Sequence, residues 1–72
     1  MFKYILKINA MMCSMCEAHI NDVIRKNFDV KKLKSSHKKN MTTFLSEKYI
    51  DEKDIKNVID STGYMLDSID IA

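Results

Sequence analysis

The chain has 72 residues, 46% of them hydrophobic, with one glycine, no proline and a net charge of +2. That is enough for one domain over residues 1–72, near the lower size limit for a single core, and the composition excludes a disordered chain. The small net charge gives no ground for a nucleic-acid partner, and no run reaches the ~20 apolar residues of a membrane span.

Phe2 to Asn9 alternates, with Phe2, Tyr4, Leu6 and Ile8 on one side and Lys3, Lys7 and Asn9 on the other; only Ile5 breaks the pattern. This predicts a half-buried strand. Met11-Met12-Cys13-Ser14-Met15-Cys16 follows and holds both cysteines of the chain. Ser14 with Glu17 has the Ser-x-x-Glu form of a capping box, so a helix is expected to begin at Ser14. Cys13 then falls in the loop and Cys16 in the first turn, where the helix end favours a thiolate. Ile20, Val23, Ile24 and Phe28 recur at helical spacing, carrying the helix to about Asn27.

Val30 to Ser36 reads as a weaker, lysine-rich strand. His37-Lys38-Lys39-Asn40 reads as a hairpin turn with His37 solvated and Asn40 suited to a left-handed conformation. Met41 to Ser46 is strand-like, but its apolar residues occur on both parities and its inward face is undetermined. Asp51 is a good N-cap for a second helix, Asp54 a weaker capping-box partner, and Ile50 with Ile55 a hydrophobic staple. Ile55, Val58 and Ile59 form its apolar stripe, and Gly63 stands where a left-handed residue ends a helix. Tyr64 to Ile71 is the last strand. The order strand–helix–strand–strand–helix–strand predicts an α+β, ferredoxin-like fold: a four-stranded antiparallel sheet with both helices on one face and the other face wet.

Charge is unevenly distributed. Seven of the twelve basic residues lie between Arg25 and Lys39, where Asp29 is the only acid, and from Glu47 onward seven acids face three lysines. A basic and an acidic face are expected, either for docking on a charged partner or as ordinary solvated faces. The N-terminal run carries Lys7 and lacks a small-residue cleavage site, so no signal peptide is expected and the cytoplasm is the default. Thiols stay reduced there, which makes Cys13 and Cys16 ligands or redox groups rather than a staple. Two soft thiolates select soft ions, Cu(I) first, and leave the ion under-coordinated, which suits delivery by ligand exchange. A thiol–disulfide enzyme also places Cys-x-x-Cys at a helix start, but a chain without proline has no cis-proline beside such a site. An iron–sulfur cluster normally wants four cysteines. A non-enzymatic metal-binding protein is the expected class.

With this element order, Ala10-Met11-Met12-Cys13-Ser14-Met15-Cys16 resembles the metal loop of the heavy-metal-associated domain family, usually Gly-Met-x-Cys-x-x-Cys after the first strand. Cys16-Glu17-Ala18-His19-Ile20 and Ser61-Thr62-Gly63-Tyr64 are similar to family text at the expected places. The resemblance implies that Cys13 and Cys16 bind the metal. Cu(I) is expected, with Hg(II), Ag(I), Zn(II) or Cd(II) as alternatives; Met12 stands where zinc- or cadmium-handling relatives often carry an acid. It also implies handover to a P-type metal-transporting ATPase or similar acceptor, with a metal-bridged homodimer as a further possibility and no direct membrane insertion. Met1 directly before the first strand favours a freestanding chaperone over a transporter domain.

Met11 is expected to pack beneath the loop. Met12 and Met15 are an apolar docking rim or a third ligand, and His19 is a surface histidine or a neighbour of the metal. Tyr64 shields the ion, bonds a sulfur, or is an ordinary strand tyrosine. Lys31, Lys32, Lys34, Lys38 and Lys39 form a docking patch or protect the strand edge. Three departures stand out: Ala10 for glycine, Asn27-Phe28-Asp29 where Pro-Gly is frequent, and Ser35 and His37 where apolar residues are usual. The last implies a poorly packed second strand.

Overall fold

The computed structural model describes residues 1–9, 11 and 14–72. Four strands and two helices run in the expected order: β1 (Phe2–Asn9), α1 (Ser14–Asn27), β2 (Lys31–Ser36), β3 (Met41–Ser46), α2 (Glu52–Asp60) and β4 (Met65–Ile71). The strands make one antiparallel sheet in the order β2-β3-β1-β4. Among the described residues no helix is long and apolar enough to cross a membrane.

The core is built from one face of the sheet and one stripe of each helix. Tyr4, Leu6 and Ile8 of β1 and Phe44 of β3 pack with Ile20 and Ile24 of α1 and Ile55 and Ile59 of α2. Both helices therefore cover the same sheet face, as the sequence predicts. Thr42 and Ser46 share the buried parity with Phe44, which settles the inward face of β3. Tyr4 stacks on Phe44 with ring centroids 5.1 Å apart. Its hydroxyl accepts from the Ile50 N–H (2.7 Å) and donates to the Ile50 carbonyl (3.2 Å), so a buried polar group is satisfied and the β3–α2 connection is held.

β2 departs from expectation. Lys31 registers with Leu45 and Lys34 with Thr43, so β2 carries one extra residue there, and Lys32 turns left-handed at φ 52°. Nor is the strand loosely held at its other end. The half-buried Ser35 hydroxyl donates to Asn21 Oδ1 of α1 (2.7 Å), and Thr42 Oγ1 lies 2.8 Å from the same hydroxyl oxygen. A hydrogen-bonded chain across α1, β2 and β3 replaces apolar packing, because the partners of Ser35 are themselves polar.

α2 begins as predicted. Asp51 is its N-cap, and its carboxylate accepts from the Lys53 N–H at 3.0 Å. At the other end the Ser61 and Thr62 hydroxyls donate to the Val58 and Ile59 carbonyls, both at 2.6 Å. Gly63 then takes φ 87°, a left-handed conformation that glycine adopts without strain. Asn40 is likewise left-handed, at φ 52°, in the β2–β3 turn.

Candidate metal centre

Three loops meet at one end of the sheet. The Ile8 N–H donates to the Asn40 carbonyl at 2.9 Å, bringing the β2–β3 turn to the end of β1. Asn9 registers with Met65, bringing the α2–β4 loop to the same end. The β1–α1 loop with the two-cysteine motif leaves from there.

Met11 is 3% exposed and belongs to the core cluster, so it anchors the loop from below as expected. Cys16 lies in the first turn of α1, half-buried against the core. Its position puts it near the positive end of the helix dipole. Cys13, Met12 and Ala10 lie outside the described residues, and so do the expectations of a Cys13 ligand and of Met12 as a docking rim or third ligand, and the departure at Ala10. Among the described residues no group of three or more His, Cys, Asp or Glu side chains is placed to hold an ion.

The helix begins at Ser14 as predicted, but the capping box does not form: Glu17 turns instead toward the β2–β3 turn. Glu17 Oε2 accepts from the His37 N–H at 2.7 Å and from His37 Nδ1 at 2.6 Å, which fixes the ring tautomer with its proton on Nδ1. His37 is thus half-buried and paired rather than solvated. The turn brings it within reach of a carboxylate twenty positions away in the chain. The Glu17 carboxyl is held below its ordinary value, first by the His37 backbone N–H and then by the His37 side chain. A clamp therefore ties the residue next to Cys16 to the β2–β3 turn.

A second contact holds α1 from the other side. The exposed His19 ring meets the half-buried Tyr64 ring edge-on, centroids 6.0 Å apart and planes at 78°. Tyr64 lies just before β4 rather than within it, and it packs against the core. The α2–β4 loop thus reaches α1 one turn beyond Cys16. Around this end Met15 is 80% and Met65 64% exposed, two thioethers available to a partner surface. Met15 is legible as a rim residue from its place between the cysteines. Met65 and the clamp between Glu17 and His37 are not, because only folding brings them to this end of the molecule.

A four-stranded antiparallel sheet with two helices on one face, in this element order, is the fold of the heavy-metal-associated domains. The solved structures bear this out. The heavy metal binding protein TM0320 from Thermotoga maritima superposes with a TM-score of 0.78 at 16% identity, over 97% of this chain and 98% of that one. A copper binding domain from HMA7, a P-type ATPase, gives 0.78 at 20% identity, over 100% and 95%. The Atx1–Cu(I)–Ccc2a complex gives 0.77 at 25% identity, over 99% and 94%. No family model matches the chain, and no curated protein matches its sequence. The likeness is one of fold.

Proposed function

We propose that this chain binds one soft metal ion, Cu(I) before others, through Cys13 and Cys16, and passes it to a cysteine-bearing acceptor such as a P-type ATPase domain. The observation that carries the reading is Cys16 in the first turn of α1, at the junction that the two-cysteine motif occupies in sequence. Thiolates are soft donors, and two of them leave room for an incoming thiolate from an acceptor to bind before the first pair releases. The exposed Met15 and Met65 and the lysines of the β2–β3 turn, Lys38 and Lys39, supply an apolar and basic surround for docking. Structural relatives that are copper binding or copper-bound agree with copper as the soft ion. The chain acts here as a carrier, not an enzyme, in a reducing compartment such as the cytoplasm.

Anaerobic Cu(I) loading followed by native mass spectrometry tests this. The expected result is one Cu(I) per chain, abolished in Cys13→Ser/Cys16→Ser while the circular dichroism spectrum is kept. Retention of Cu(I) by the double variant against a competing chelator would put the site elsewhere.

A further inference from the structure

The sheet face away from the helices has a charge pattern that metal binding does not use. Tyr4, Leu6 and Ile8 point into the core, so Lys3, Ile5 and Lys7 point out. The register extends this face row by row. Lys3 lies opposite Leu45, and Leu45 opposite Lys31. Ile5 lies between Thr43 and Asp70, with Lys34 beyond Thr43. Lys7 lies between Met41 and Ser68, with Ser36 beyond Met41. Ile5, Met41 and Leu45 are half-buried and form a low apolar strip, while Lys3, Lys7 and Lys34 are exposed around it. Lys32, at the bulge, lines the same shallow groove as Lys3 and Lys34.

Little on this face neutralises the charge. Lys31 is paired with Glu47 at 2.8 Å. Among the described residues no carboxylate pairs with Lys3, Lys7, Lys32 or Lys34. Asp70 is the one acid in these rows, with Asp67 at the neighbouring β4 irregularity; the other eight acids of the chain lie on helices or in loops. Two copies stacked by this face would oppose lysine to lysine. The rows also lack arginine and aromatic side chains, the usual anchors of a protein interface. Lysines spread over a flat face suit a diffuse anionic surface instead.

We propose that this sheet face rests on a bilayer surface rich in anionic lipid, held by Lys3, Lys7, Lys32 and Lys34 without insertion. The metal-loop end then lies at the margin of the contact, beside any acceptor embedded in the same membrane. The attraction needs no metal and is independent of the proposed cargo.

The test uses apo, reduced protein and co-sedimentation with vesicles of phosphatidylcholine alone or mixed with phosphatidylglycerol, at low ionic strength. Lys3→Gln/Lys7→Gln/Lys34→Gln is compared with Arg25→Gln/Lys26→Gln/Lys53→Gln, which removes the same charge from the helices. Wild type and the helix variant are expected to partition onto the mixed vesicles and not the neutral ones, and added salt to release them. The sheet variant should partition about 100-fold more weakly, the scale of three lysines at a charged surface. All the substituted side chains are exposed, so both variants should keep the wild-type circular dichroism spectrum. Equal partitioning of wild type onto both vesicle types, or equal losses in the two variants, would overturn the proposal. Cu(I) binding by the sheet variant should be unchanged, which separates this outcome from failure of the metal reading.

Discussion

Met11→Ala tests whether the two-cysteine loop is anchored through the core. Met11 is 3% exposed within the main cluster, so truncation removes a buried thioether arm and leaves a void. Such changes cost about 2–5 kcal/mol; beside a loop that can partly collapse, the lower half of that range applies, about 2–3 kcal/mol. A chain of this length has a total stability on the order of 4–11 kcal/mol. The melting temperature of the apo protein should therefore fall by roughly 10–20 °C. Met11→Leu nearly conserves volume and should cost less than about 1.5 kcal/mol. Thermal unfolding followed by circular dichroism measures both, and chelator competition measures Cu(I) retention. A melting temperature for Met11→Ala within about 3 °C of wild type would refute the packing argument. Loss of Cu(I) in Met11→Leu at unchanged stability would make Met11 a ligand instead.

Three further outcomes are expected. Tyr4→Phe leaves the Ile50 N–H and carbonyl without their buried partner and should cost about 2 kcal/mol in urea unfolding, while Tyr49→Phe, at an exposed ring, should cost almost nothing. The Glu17 carboxyl is lowered in the folded state from an ordinary value of 4.5, so its stabilisation is present above that value and is lost as pH falls through the lowered one. Glu17→Gln should flatten the acid limb of apo stability against pH, and His37→Ala should flatten it less, because the backbone N–H that dominates the shift remains; parallel curves for Glu17→Gln and wild type would remove the clamp from the account. Tyr64→Ala should speed Cu(I) loss and release the His19 ring it contacts, whereas Tyr64→Phe keeps the edge-on contact; equal off-rates for wild type and both variants would make Tyr64 a packing residue only.

Element identity was legible in the sequence because local signals agreed with one another. Alternation defined β1, helical spacing defined α1, and Asp51 and Gly63 marked the ends of the second helical segment with conformations that side-chain chemistry dictates. The two-cysteine motif was legible for the same reason, since its two cysteines lie within a few residues of each other. Contacts between distant segments were not. Ser14-x-x-Glu17 is a local pattern with a local explanation, yet Glu17 turned to His37, whose backbone and ring together offer a carboxylate more than one helical N–H does. Ser35 reads as a weak point in β2 until Asn21 and Thr42 come within hydrogen-bond distance of it. The extra residue in β2 and the inward parity of Thr42 and Phe44 depended on pairing with a neighbouring strand, which a single strand's pattern does not specify. Sequence determined which segments are helix or strand and that Cys16 stands in the first turn of α1, because those depend on near neighbours. Tertiary structure alone decided what clamps the thiol-bearing turn and which lysines share the open sheet face, because those depend on residues that meet only when the chain is folded.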